Sequence, residues 1–277
     1  MDEIAEYNKE RWKALAQANA LFTRPALHLD LSTARERIDP DGRLGELAGK
    51  RVLCLAGGGG QQSAAFALLG AQVTVLDLSE PQLQRDREVA KHYNVTIETL
   101  QGDMRDLSCF AEAAFDIVYH PYSLNFVPDA RIVFRQVARI LRKGGLYHFN
   151  CANPFYSGLS EKDWNGNGYI LKHTYVDGAE TTYEDQDWVY GHSLGSQYAQ
   201  YGSPAPKPRE YRHTLSTLMN GLIEQGFVLL YVSDSLGFAP DPDAEPGTWN
   251  HFTSIAPPWL AFWLAYRPEI FGKIHLP

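Results

Sequence analysis

The sequence predicts an α/β fold, a doubly wound and mostly parallel sheet with an N-terminal helical segment and a late insertion. Three observations carry this reading. Between Lys50 and Cys151, short apolar runs alternate with helix-length amphipathic segments. Four consecutive glycines, Gly57 to Gly60, join the first apolar run to the first of those helices. Asp77 closes the second apolar run about 20 residues after the turn, where a βαβ unit holds a nucleoside by its ribose hydroxyls.

The elements follow in order. Residues 3–22 place Ile4, Tyr7, Trp12, Leu15, Ala18 and Phe22 among charged and polar neighbours, which predicts an amphipathic helix ending before Arg24-Pro25. Strands are expected at 51–56, 72–77, 96–101, 115–120 and 145–151. Helices are expected between them at 61–69, 80–93, 107–113 and 129–141. After Asn153-Pro154 the rhythm breaks, and residues 154–212 are rich in Gly, Tyr, Trp, Asp and Pro, with a proline-rich linker at 203–208. Alternation resumes with a helix at 214–226, a strand at 227–233 and a last strand within 260–266. This divides the chain into an N-terminal helical lid (1–30), a cofactor-binding core (31–153), an insertion that caps an acceptor pocket (154–212) and the C-terminal part of the sheet (213–277).

Composition bounds the class. The 277 residues are 44% hydrophobic and 12% aromatic, enough for a full core. A net charge of −8 and no Lys/Arg cluster argue against a nucleic-acid partner. Cys54, Cys109 and Cys151 are odd in number and far apart, which fits reduced thiols, and no CxxC or HxxxH spacing predicts a metal. Residues 1–24 lack the apolar core of a signal peptide, and no apolar run has membrane-spanning length. A cytoplasmic protein without membrane attachment is expected, either monomer or homodimer.

Glycine lets the backbone turn sharply and lets a ligand approach its N–H groups. In Gly102-Asp103-Met104, after the third strand, Asp103 is placed to accept from an adenine amino group and Met104 to pack on the ring. Leu141-Arg142-Lys143-Gly144-Gly145 marks a glycine reversal into the fifth strand. As a set, Val52–Gly60, Val75–Leu83, Gly102–Met104, Phe115–Val118 and Leu141–Leu146 resemble the class I, Rossmann-like S-adenosylmethionine-dependent methyltransferases of small-molecule type. The resemblance implies a seven-stranded sheet with its last strand antiparallel and S-adenosyl-L-methionine as cofactor. It implies that Leu55, Ala56, Gly57, Gly58 and Gln61 line the methionine part. Asp77, with Leu78 and Gln82, is then expected at the ribose, Gly102, Asp103 and Met104 at adenine, and His120 and Asn125 beside the cofactor.

The turn departs from the family's usual form. Cys54 stands where an acid is usual and Ala56 where a glycine is usual, so the cofactor's amino group must be held in another way. Gln61 and Gln62 are candidates for the carboxylate end, or plain first-turn residues. A dehydrogenase is disfavoured, because a strict Gly-x-Gly-x-x-Gly needs glycine at Gln62 or Ser63.

Methyl transfer from a sulfonium needs alignment and exclusion of water, and a base only where the acceptor must lose a proton. The expected activity is in-line methyl transfer to a small-molecule acceptor. The alternatives are a catalytically silent S-adenosylmethionine-binding module, which Cys54 alone supports, or a non-methyl reaction on the same fold. His120 and Tyr122, at the end of the fourth strand, are the catalytic candidates, with a purely structural histidine as the competing reading. Asn153-Pro154-Phe155-Tyr156 looks like an amino-methyltransferase motif but follows the fifth strand and is read as a decoy. The insertion holds no Lys or Arg between Lys172 and Lys207 but has five acids and six aromatics, which reads as a cation pocket or as a solvated acidic hairpin. Tyr7 is expected to close over the cofactor and Trp12 to pack the first helix on the sheet. His192, His213 and His251 are expected to be structural or exposed.

Overall fold

A computed structural model of the chain describes residues 2–183, 205–235 and 239–271. Its centre is a seven-stranded sheet built from β1 (Arg51–Leu55), β2 (Gln72–Asp77), β3 (Ile97–Gln101), β4 (Phe115–His120), β5 (Leu141–Ala152), β8 (Phe227–Ser235) and β9 (Trp259–Tyr266). The spatial order is β3-β2-β1-β4-β5-β9-β8. Pairings among β1 to β5 are parallel, while β9 runs antiparallel to both neighbours, β5 and β8. Six strands therefore share one direction and the last is reversed, as expected. A short antiparallel pair, β6 (Glu180–Thr182) and β7 (Arg209–Tyr211), belongs to the late insertion.

The helices are α1 (Glu3–Gln17), α2 (Leu31–Ile38), α3 (Gln62–Leu68), α4 (Glu80–Tyr93), α5 (Ala130–Ile140), α6 (Leu215–Glu224), α7 (Trp249–Ile255) and α8 (Pro268–Phe271). Both sheet faces are covered. On one, α5 and α6 bury Val133, Phe134, Val137, Leu218 and Leu222 against Leu53, Tyr147 and Phe149. On the other, α2, α3 and α4 bury Ala34, Ile38, Phe66 and Leu83 against Val52, Val73 and Val75. Strands covered on both faces explain the nearly continuous apolar runs.

Three local expectations change. The helix expected at 107–113 is a chain of turns. Its backbone groups bond to α5, with Leu107 N–H donating to Gln136 Oε1 at 3.2 Å, Arg139 donating to the Leu107 and Phe110 carbonyls, and Ala113 N–H donating to Arg139 O at 3.1 Å. The first helix stops at Gln17, because Asn19 adopts φ 50° and a short 3-10 turn, Leu21–Thr23, follows. Leu141 to Gly145 is no reversal before the fifth strand but an irregularity inside β5, which pairs with β4 from Phe115 onward. A Cβ on Gly145 would lie 3.0 Å from Asp116 O, so the bend needs glycine. Residues 184–204, which carry most of the acidic and aromatic stretch, His192 and the start of the proline-rich linker, lie outside the described residues.

Candidate active site

The carboxyl ends of β1, β2 and β4 open into a cavity of about 960 Å³, the place where ligands bind on open parallel sheets. Its floor is the glycine turn. Ala56 sits at φ 46°, and its N–H donates to Leu76 O at 2.7 Å, which ties the turn to β2. A Cβ on Gly58 would lie 2.7 Å from Gln82 Cβ and 2.9 Å from Asp77 Oδ2, so only glycine brings the turn this close to β2 and α4. Asp77 is 9% exposed and lines the cavity. Its Oδ2 accepts from Gly58 N–H (2.9 Å) and its Oδ1 from Ser79 N–H (2.8 Å). Each oxygen keeps a lone pair to accept from a diol. Burial raises the Asp77 pKa, and the Ser79 and Gly58 N–H donors oppose that rise.

At the next corner Gly102, Asp103 and Met104 line the same wall. Gly102 N–H donates to Asp77 O at 3.0 Å. Arg105 grips the Asp103 carboxylate through Nε (3.1 and 3.0 Å) and Nη2 (2.6 Å). The same guanidinium donates to both oxygens of Asp2, the N-cap of α1, at 2.7 and 2.8 Å. One arginine thus joins the N-terminal helix to the corner expected to meet adenine.

The helix α1 roofs the cavity with Ile4, Ala5, Asn8, Arg11, Trp12 and Leu15, a stripe at helical spacing. Of its two aromatics, Trp12 lines the cavity and Tyr7 does not. Trp12 lines the cavity, with its ring edge-on to Phe126 at 5.7 Å. Tyr7 lies outside the lining residues; its hydroxyl donates to Lys207 O at 2.9 Å and the Arg209 guanidinium lies over its ring. Asn8, which the sequence did not single out, is 3% exposed. Its Nδ2 donates to Phe126 O at 2.9 Å, which fixes the amide orientation, and its Oδ1 is buried without a partner.

The remaining expected site residues divide. Ala56, Gly57, Gly58, Gln61, Gln62, Leu78 and Gln82 line the cavity, as does Tyr156 of the supposed decoy. Gln61 is held by its Nε2 donating to Phe22 O (3.0 Å) and Arg24 O (3.1 Å). Leu55, His120 and Asn125 do not line it. Leu55 is fully buried in the core. Asn125 braces the wall from behind, accepting from Ala152 N–H (2.8 Å) and donating to Tyr211 O (3.2 Å). His120 is 0% exposed, and its Nδ1 pairs with the Tyr147 hydroxyl at 2.9 Å. Burial, with a smaller contribution from His148, pushes its pKa down to about 3. The imidazole so walled off is neutral, and its Nε2 is buried without a hydrogen-bond partner.

Tyr122 does face the cavity, and it brings in a residue the sequence reading missed. Its hydroxyl donates to Glu210 Oε2 at 2.8 Å, while the Tyr183 hydroxyl donates to Glu210 Oε1 at 2.7 Å. Glu210 is 3% exposed and, like Tyr122, Tyr183, Trp249 and Trp259, lines the cavity. Burial first, then the neighbouring Glu210 charge, raises the Tyr122 pKa well above the ordinary value, so it stays a hydroxyl donor. The β6–β7 pair carries Glu210 there, with Thr181 Oγ1 donating to Glu210 O at 3.3 Å.

This sheet, glycine turn and strand-end acid define a Rossmann-like enzyme that binds an adenosyl cofactor. A family model described as methyltransferase domain matches residues 53–149. The uncharacterized methyltransferase YbaJ of Bacillus subtilis is 33% identical over 197 residues, covering 70% of this chain and 72% of that protein. A ubiquinone biosynthesis O-methyltransferase of Xanthomonas oryzae is 30% identical over 153 residues, 55% of this chain and 60% of the relative. Among solved structures, an S-adenosylmethionine-dependent methyltransferase of Mesorhizobium loti aligns with TM-score 0.59 at 23% identity, over 85% of this chain and 100% of that one. Geranyl diphosphate C-methyltransferase of Streptomyces coelicolor, solved with S-adenosyl-L-homocysteine, aligns with TM-score 0.53 at 16% identity, over 85% and 78%. The chain belongs to the class I S-adenosylmethionine-dependent methyltransferases, and S-adenosylmethionine is its cofactor.

The residues present fit that cofactor. Gln82 Oε1 and Asn8 Oδ1 are buried oxygens without partners on residues that line the cavity, and each needs a donor. Met104 offers an apolar face 4% exposed, and Asp77 offers paired acceptors. When bound, the cofactor supplies a methyl already activated on a sulfonium.

Proposed function

We propose that the enzyme methylates a small molecule bearing an O–H or N–H, seated at the Tyr122–Glu210–Tyr183 end of the cavity. The carrying observation is that this buried carboxylate and the two tyrosines that donate to it line the same cavity as the glycine turn and Asp77. At about 960 Å³ the space is at the upper end of the ~300–1,000 Å³ typical of small-ligand sites, which suits two ligands side by side. Gly57, Gly58, Asp77, Gln82, Asp103 and Met104 would hold the cofactor. Glu210 accepts the acceptor's proton or its hydrogen bond, and the tyrosines fix the carboxylate's orientation. The aromatic walls Trp249 and Trp259, with ring centroids 6.0 Å apart, exclude water. Low exposure of both reacting ends favours an acceptor small enough to enter, rather than a polymer.

Free Cys54, Cys109 and Cys151 suit a reducing compartment, and a cytoplasmic location belongs to this proposal. No helix among the described residues is long and apolar enough to cross a membrane. The division of labour between an N-terminal lid, a cofactor core and an acceptor cap is likewise proposed, since Asn8 and Trp12, the glycine turn, and Glu210 each come from one of these segments. A panel of phenols, amines, thiols and carboxylates, assayed with labelled S-adenosylmethionine, tests the reading. Turnover of a phenol or amine that Glu210→Gln abolishes is expected; robust turnover only on a macromolecule would overturn it.

A further inference from the structure

The turn amides are engaged inside the protein. Gly58 N–H donates to Asp77 Oδ2 at 2.9 Å, and the next two, Gly59 and Gly60, donate to Asp86 Oδ2 and Oδ1, each at 3.1 Å. Ser63 at the start of α3 adds its hydroxyl to Asp86 Oδ1 at 2.5 Å. Asp86 lies on α4, is 0% exposed and does not line the cavity. Its carboxylate therefore receives three donors from one strand-turn-helix unit without touching a ligand. Successive amides that converge on one point form an anion-binding concavity, and here the anion is the protein's own.

The packing leaves no alternative occupant. A Cβ on Gly60 would lie 2.7 Å from Arg85 O and 2.9 Å from Val89 Cγ1, so the turn rests directly on α4. Gly59 N–H also meets Gln82 O at 3.2 Å. Within the turn's own strand the corresponding side chain is Cys54, a fully buried thiol whose pKa is raised by burial and then by the Asp86 charge. Cys54 thus stays neutral and contributes no anion.

We propose that Asp86 is a positioning residue for the methyl-transfer reaction: from α4 its buried carboxylate holds Gly59 and Gly60 in the shape that admits the cofactor. The ionised form accepts all three donors at full strength, while a protonated carboxyl must turn one oxygen into a donor that faces other donors. The groups around it are Ser63 from α3, Cys54 from β1 and Asp77 from β2, and the nearby Arg85 of α4 is paired with Glu88 at 3.0 Å. Burial, reinforced by the Asp77 charge and opposed by the Ser63, Gly59 and Gly60 donors, brings its pKa up to about 7. Cofactor affinity is then expected to fall as pH drops through that region.

Calorimetric binding of S-adenosylhomocysteine between pH 6 and 8.5 tests this without any turnover. The wild type is expected to lose affinity below about pH 7. Asp86→Asn is expected to bind about tenfold more weakly at pH 8, roughly 1.4 kcal/mol, and to lose the titration near 7, while thermal melting shows it folded. Should that variant fail to fold, Ser63→Ala decides, because it removes a donor that lowers the Asp86 pKa. It is expected to bind two- to fivefold more weakly, with the midpoint moved to higher pH. Asp86→Asn binding within twofold of the wild type with an unchanged pH profile, or a Ser63→Ala midpoint that does not move, would overturn the proposal.

Discussion

The Tyr122 hydroxyl donates to Glu210 Oε2 at 2.8 Å, joining the end of β4 to a strand 88 residues away, and both residues line the cofactor cavity. In the proposed reaction the pair is where an acceptor's proton would meet a carboxylate, which shifts the search for catalytic groups from the histidine of β4 to the tyrosine two residues on.

Glu210→Gln keeps the shape of that pair and removes its charge. It should lower kcat/KM for the acceptor by about 10²-fold or more while leaving the dissociation constant of S-adenosylhomocysteine within twofold. Tyr122→Phe removes one of the orienting donors and should cost less, about tenfold. Steady-state kinetics beside calorimetry separates the two effects.

His120 should behave as a structural residue. Its folded pKa, about 3, lies below the ordinary 6.5, so the unfolded chain binds the extra proton first. Stability is then full above about pH 6.5 and falls as pH drops below it. His148, pushed down to about 4 chiefly by burial, adds to the same slope. His120→Gln should destabilise by roughly 1–3 kcal/mol and flatten that slope, with no change in the pH profile of kcat/KM. Melting temperatures across pH 4 to 8 give the answer.

Arg105 ties Asp2 of α1 to Asp103. The side-chain hydrogen bond from Arg105 holds the Asp2 carboxyl well below the usual carboxylate range, so its contribution is present above about pH 4 and lost as pH falls further. Arg105→Met should loosen the helical roof, speeding hydrogen exchange of the α1 amides several-fold and weakening S-adenosylhomocysteine binding about threefold to tenfold. High salt should reproduce part of the effect, because Asp2 is half exposed.

Much of the sheet was legible in the sequence, because strands buried on both faces leave continuous apolar runs that helical periods separate. β2, β4 and α4 fall at their expected bounds. The 107–113 segment misled, since its turns are held by Gln136 and Arg139 from another element, which no local pattern records. In the site, the glycine turn, Asp77 and Met104 were readable as a motif with fixed spacing. Asp86 was not, because it sits in the charged run Gln84-Arg85-Asp86-Arg87 that looks like a solvated helix face. Its position four residues after Gln82 and three before Val89 places it on the buried face, and that spacing was the available signal. Glu210 and Asn8 were invisible for a different reason. Each acquires its role from a partner far along the chain, Tyr122 and Phe126.

We propose that the glycine turn and Asp77 form the seat of S-adenosylmethionine. The most direct measurement is calorimetric titration of the wild type and of Asp77→Ala with S-adenosylhomocysteine at pH 8. One site per chain with micromolar or tighter affinity is predicted for the wild type, weakened at least about tenfold in Asp77→Ala, since two or more hydrogen bonds to a charged acceptor are lost. No binding to the wild type, or equal affinity in the folded Asp77→Ala variant, would contradict it.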